Sequence, residues 1–210
     1  MIVHDISPRL SPRIAVWPGD VPLSQSWQCR IDEGSNLDLS ALTATVHLGA
    51  HADAPRHYAA DAEDIASRPL ARYLGTCRVI AVDVGRGERI RPEHLGDAPL
   101  DAPRVLFRTG TFPDPEDWNV DFASLSPELV DHLADAGVTT VGIDTPSIDL
   151  FDDKVLLSHT AVARRDLAVL EGLVLADVAP GTYTLIALPL PLEGFDASPV
   201  RAVLVEGPIG

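Results

Sequence analysis

Three histidines and an aspartate fall within eleven residues of the stretch TVHLGAHADAPRHY: His47, His51, Asp53 and His57. The whole chain has 7 histidines in 210 residues, so this is a concentration. Imidazole nitrogen and carboxylate oxygen are ligands for zinc, manganese and similar divalent ions. A lone histidine on a polar loop reads as a surface group. Imidazoles crowded together are costly unless something binds them, so the spacing H-x3-H-x-D-x3-H reads as a metal site. Three ligands from this segment would leave a catalytic ion one open position. Four residues are present, so one could serve as an acid–base rather than a ligand, and the spacing does not say which.

The element that carries these groups decides whether they converge. His47 and His51 are spaced i, i+4, but Gly49 lies between them and Pro55 follows four residues after His51, which argues against a helix. In an extended chain the odd positions 47 to 57 face one side. That side carries His, Gly, His, Asp, Pro and His, which is no half-buried apolar face. We therefore expect a strand ending in a loop that aims polar groups into a cleft. Gly49 would leave room beside the backbone, and Pro55 would stiffen the exit.

Around the cluster, IVHDIS and LTATVHL alternate as strands do, and CRVIAVDV, RVLFRTG, TTVGID, LVLADV, YTLIALPL and VRAVLVE are short β-rich runs. SPELVDHLADAG predicts a helix: Ser126 can cap it, Pro127 suits its first turn, and Gly137 can end it. Leu129, Val130, Leu133 and Ala134 give that helix one apolar face. A second helix is expected from SHTAVARRDLAVL. Strands mixed with fewer helices predict a single α/β domain over residues 1–210 with a mixed sheet. The 18 prolines place many connections in rigid turns.

Net charge is −15, so nucleic acid and anionic membrane surfaces are unsuitable partners. Cys29 and Cys77 form no C-x-x-C pair and read as buried thiols. The N-terminus has no signal-like pattern and no apolar run approaches membrane-spanning length, which predicts a cytoplasmic location. No G-x-S-x-G, P-loop or G-x-G-x-x-G is present, which disfavours a serine hydrolase or nucleotide chemistry.

The pattern H-x-G-x-H-x-D-x-P-x-H resembles the signature of the metal-dependent cyclase family, with Ala50 at a position where Thr is usual. AVWPGD, FRTGT, GIDTPSIDLF, LSHTAV and the stretch from LEGL to VRAVL extend the similarity over most of the chain. The Trp-Pro-Gly-Asp and Asp-Thr-Pro-Ser motifs resemble those of its formamidase branch; a proline commonly follows the aspartate in IDLF and is missing here. The resemblance implies a swivelling β/β/α-like fold, a homodimer, and two divalent ions, zinc most often and manganese or another in some branches. It implies His47, His51 and Asp53 as ligands of the first ion, with Asp53 bridging to the second. His159 would be a ligand of the second ion, Glu171 a carboxylate shared by both, His57 the general acid–base and Trp17 a substrate-contacting aromatic. The implied reaction is hydrolysis of N-formyl-L-kynurenine to L-kynurenine and formate. The alternatives are a sibling hydrolase acting on another aryl amide, a cyclic amide or a lactone, and a non-catalytic metal-binding protein.

Taken alone, His159 and Glu171 read as surface groups, and Trp17 equally as a packed loop anchor. The resemblance also sets a geometric demand. Twelve residues of continuous helix rise about 18 Å. His159 and Glu171 can meet at one site only if the chain turns between them.

Overall fold

The apolar runs RVLFR, TVGI and AVLE form the middle of one sheet. The structure, a computed structural model, describes residues 1–207. The strands are β1 (Val3–Asp5), β2 (Ser24–Cys29), β3 (Leu39–Thr43), β4 (His51–Asp53), β5 (Leu74–Ala81), β6 (Arg89–Ile90), β7 (Arg104–Arg108), β8 (Ser124–Leu125), β9 (Thr140–Ile143), β10 (Ala168–Glu171), β11 (Gly181–Ile186), β12 (Ala197–Pro199) and β13 (Val203–Val205). Nine of them make one sheet in the order β1-β13-β11-β5-β7-β9-β10-β4-β12. Adjacent strands from β5 to β10 run parallel and the outer pairs run antiparallel. The fold is α/β with a mixed sheet, as the sequence predicts. Parallel strands are buried on both faces, which is why their sequences read as near-continuous apolar runs.

Alternate side chains divide between two cores. Val105, Phe107, Val141, Ile143 and Val169 face α1 (Pro127–Asp135) and α2 (Leu157–Arg165), which contribute Leu129, Val130, Leu133, Ala161 and Val162. Cys77, Val79, Leu106, Leu170, Leu185 and Leu204 fill the other face. Helix α1 starts as expected: Pro127 is in the first turn and the Ser126 hydroxyl accepts the Leu129 N–H at 3.1 Å.

Several local expectations need correction. The second helix does not run through LAVL. It stops at Arg165, and Asp166 takes a left-handed conformation (φ 50°, ψ 46°) that turns the chain back. Ala168–Glu171 then forms strand β10, so the turn demanded between His159 and Glu171 is present. LVLADV is not a strand. Gly172 turns the chain at φ 64°, and Leu173, Leu175 and Val178 are buried side chains of a loop. LTATVHL is strand only to Thr43. The cluster itself is extended only over β4; Gly49 at φ 57° and a 3-10 turn over Pro55–His57 bend the chain on either side. Cys77 is fully buried, but Cys29, on the β2–β3 hairpin, is half-exposed.

Strand β4 lies between β10 and β12, with His51 opposite Glu171 and Asp53 opposite Val169. Directly opposed residues of an antiparallel pair share a face. His51, Asp53 and Glu171 therefore point to the helical side, where α2 packs. Among the described residues, no helix is long and apolar enough to cross a membrane.

Candidate metal centre

Five side chains meet where β4, β10 and α2 converge, and the carboxylate oxygens among them sort into two sets. Asp53 Oδ1 lies 3.1 Å from His47 Nδ1 and 3.6 Å from His51 Nε2, and Glu171 Oε2 lies 3.2 Å from His51 Nε2. On the other side, Asp53 Oδ2 lies 3.4 Å and Glu171 Oε1 3.5 Å from His159 Nε2. Each carboxylate thus turns one oxygen to His51 and the other to His159.

The backbone around these groups fixes the rings. His51 Nδ1 donates to Gly49 O at 2.8 Å, which leaves Nε2 bare toward the carboxylates. His159 Nδ1 donates to Asp149 Oδ2 at 2.8 Å. Asp149 is held in turn by the Ser158 and His159 N–H groups and by Arg89 Nη1 at 2.8 Å. Glu171 Oε1 accepts the Ile148 N–H at 2.7 Å. Behind this arrangement two glycine backbones touch: a Cβ on Gly172 would sit 2.1 Å from Gly49 O. Only glycine allows the chain carrying Glu171 to approach the chain carrying His51 so closely.

The donor set fits a divalent metal. His51 Nε2, His159 Nε2 and both Asp53 oxygens are buried with no hydrogen-bond partner. Leaving one such group unsatisfied costs about 1–3 kcal/mol, so four of them facing one another call for a shared ligand. Nitrogen and carboxylate oxygen suit zinc, manganese or a related ion. The electrostatics of the centre are strongly perturbed. Burial alone would raise the Asp53 carboxyl pKa, but His159 and His47 hold it well below the usual carboxylate range. Burial likewise pulls His47 down, and the opposing pull of Asp53 and Asp196 leaves its pKa raised to about 9.

The remaining cluster residue, His57, is about a third exposed, and one of its ring nitrogens lies within 4.8 Å of ligand atoms of Asp53 and His159. A cleft of about 600 Å³ opens above the centre. His47, His51, His57, His159 and Glu171 line its base, and Trp17, Phe112 and Trp118 stand in its wall. Trp17 is half-buried, 5.0 Å from Phe151 and 5.4 Å from Trp118 between ring centroids.

The chain is similar to known proteins over most of its length. Residues 4–150 match the Cyclase family. A kynurenine formamidase of Bordetella avium (strain 197N) is 49% identical over 204 residues, covering 96% of this chain and 97% of its own. The chain belongs to the cyclase family. A solved structure described as a potential metal-dependent hydrolase with cyclase activity superposes with a TM-score of 0.83 at 25% identity, covering 99% of each chain. Isatin hydrolase A from Labrenzia aggregata shares the fold, with a TM-score of 0.84 at 21% identity over 98% of this chain and 94% of its own.

Within this cyclase-family fold, His47, His51, Asp53, His159 and Glu171 gather at one centre, with His57 beside it and Trp17 in the cleft wall. Sequence reasoning missed Asp149 and Asp196. Asp149 lies in the quoted GIDTPSIDLF motif, but only the fold shows it beneath His159. Asp196 lies in EGFDASP, which has no local pattern that points to a site. It reaches the cluster because β12 pairs with β4, with Ala197 opposite Asp53.

Proposed function

We propose that this chain is a metal-dependent arylformamidase that hydrolyses N-formyl-L-kynurenine to L-kynurenine and formate. The observation that carries the metal reading is the division of the Asp53 and Glu171 oxygens between His47 and His51 on one side and His159 on the other. That division suits two ions: the first held by His47, His51 and Asp53, the second by Asp53, His159 and Glu171, with Glu171 shared. Zinc fits this donor set, and manganese is the next choice. The substrate follows from the 49% identical relative, a kynurenine formamidase.

When bound, the ions supply Lewis acidity to the amide carbonyl and to water. The protein's own groups do the rest. Asp53 and Glu171 fix the spacing of the centre because each carboxylate offers two oxygens. His57 takes a proton from the attacking water and returns it to the aryl nitrogen as the C–N bond breaks. Trp17 forms an aromatic wall against the substrate ring. The cleft volume is in the range that encloses a small molecule.

The protein acts as one domain over residues 1–210, a reading supported by β1 pairing with β13 across the ends of the chain. It acts as a homodimer. Supporting this, the β2–β3 hairpin is a two-stranded sheet apart from the main one and exposes Trp27 (47%), Leu39 (52%) and Leu42 (73%). An isolated hairpin of this kind is marginal in water, and a second copy would cover its apolar residues. Free cysteines suit the reducing cytoplasm.

Metal analysis of the purified chain, paired with formate release from N-formyl-L-kynurenine, tests the reading. The expected result is two ions per chain and chelator-sensitive release of formate. A chain that carries both ions and hydrolyses another aryl amide, a cyclic amide or a lactone in preference would replace the substrate assignment and leave the metal centre standing.

A further inference from the structure

A carboxylate outside the metal cluster touches two of its histidines. Asp196 Oδ2 lies 3.0 Å from His47 Nε2 and 3.2 Å from His57 Nδ1. Its position is fixed by the main chain: Asp196 O accepts the Ala54 N–H at 2.8 Å, and the next residue opens β12 opposite Asp53. Among the described residues, its carboxylate has only these two imidazoles as side-chain partners, whereas Asp5, Asp101, Asp121, Asp131 and Asp135 pair with arginines. It also meets the outer nitrogen of His47. The inner one, Nδ1, faces Asp53.

We propose that Asp196 is the positioning residue that sets the tautomer of both rings. A carboxylate accepts and does not donate, so each ring must present an N–H to it. His47 then keeps its proton on Nε2 and offers a bare Nδ1 toward Asp53. His57 keeps its proton on Nδ1 and offers a bare Nε2 as the atom that takes and returns the proton. A carboxylate behind a metal-ligating or catalytic imidazole commonly fixes ring orientation in this way. One oxygen serves both rings here, so the first ion's ligand and the acid–base are oriented by the same group. The role given to His57 rests on the formamidase reading; the tautomer assignment does not.

The test is the Asp196→Asn variant of the full chain, labelled with 15N-histidine and loaded with zinc. Long-range 1H–15N correlation reports which nitrogen of each ring is bare. Wild type should show His57 protonated on Nδ1. In the variant the amide can donate to Nδ1, so the opposite tautomer should gain population. Both zinc ions should remain, and kcat for formate release should fall about 10²-fold or more with KM little changed. Asp196→Glu should restore part of the rate. Loss of zinc from Asp196→Asn would make Asp196 a ligand and overturn the proposal, as would an unchanged His57 tautomer. If the wild-type chain released no formate, the formamidase reading would fail, while the spectra and zinc content would still decide what Asp196 does.

Discussion

His57 and His159 sit 5.9 Å apart between ring centroids, yet their surroundings assign them different work. His159 is almost wholly buried, its Nδ1 anchored by Asp149 and its Nε2 bare toward two carboxylates. His57 is partly exposed at the cleft, and among the described residues Asp196 is its one side-chain hydrogen-bond partner. His57→Ala should therefore keep both ions and the fold while losing about 10²–10⁴-fold in kcat, the usual scale of general acid–base catalysis. Metal content measured beside formate release separates this from a ligand role, in which the ions would leave together with the activity. Asp149→Asn makes the contrasting case. It weakens the anchor of His159 and leaves the Arg89 guanidinium with one carboxylate partner, Asp153, in place of two. Second-ion affinity should fall about 10–100-fold, the usual cost of losing a group behind a ligand, with the first ion retained. Competition with a chelator of known affinity reads this directly; equal loss of both ions would show that Asp149 supports the whole centre.

At the scale of elements, the centre depends on how closely β10 approaches β4. Gly172 ends β10 at φ 64°, with its α-carbon against the Gly49 carbonyl. Gly172→Ala faces both a left-handed backbone and a Cβ placed 2.1 Å from Gly49 O. The two strand ends must separate, which moves Glu171 from His51. We expect a loss of stability of about 1–3 kcal/mol and weaker metal binding in the same variant. Denaturant titration and metal competition measure the two effects, and a variant unchanged in both would show that the contact is not needed. This approach was invisible in the sequence, where Glu171 taken alone reads as a surface group. The metal cluster was legible because its ligands crowd into one short segment, and α1 because its cap, first-turn proline and apolar stripe agree. Strand β10 was hidden because AVLE continues the alanine- and leucine-rich pattern of α2, and only the left-handed turn at Asp166 divides them. The loop after Gly172 imitated a strand because LVLADV is a short run rich in leucine and valine, and Leu173 and Leu175 are buried on either side of a less buried Val174. Asp149 and Asp196 were silent because their partners are distant in sequence or lie on another element.

At the scale of the molecule, the centre ties together parts of the chain far apart in sequence. His47, His51 and Asp53 come from one edge of the sheet, Glu171 from the neighbouring strand, and His159 from the helix that covers it. This region holds buried Asp53 and Glu171 carboxylates against imidazoles, and His51 Nε2, His159 Nε2 and both Asp53 oxygens have no hydrogen-bond partner among the described residues. An ion that fills the centre binds the folded chain, because the unfolded chain does not bring these segments together. Stability should then follow free metal concentration. At a free concentration about 100 times Kd the gain is about 2.7 kcal/mol, and each further tenfold adds about 1.4 kcal/mol. For a chain of this length 1 kcal/mol moves Tm by about 2–4 °C, so removing the metal should lower Tm by about 5–10 °C. Thermal unfolding of chelated protein, repeated across a series of buffered zinc concentrations, gives both the drop and the slope. A Tm that stayed constant while metal analysis showed the ions gone would mean that the ions favour the folded chain no more than the unfolded one, and would overturn a centre built only by folding. The chelated protein should then also keep the wild-type protection of the His51 and Glu171 backbone amides against hydrogen exchange, whereas a metal-dependent centre should lose it first at β4 and β10.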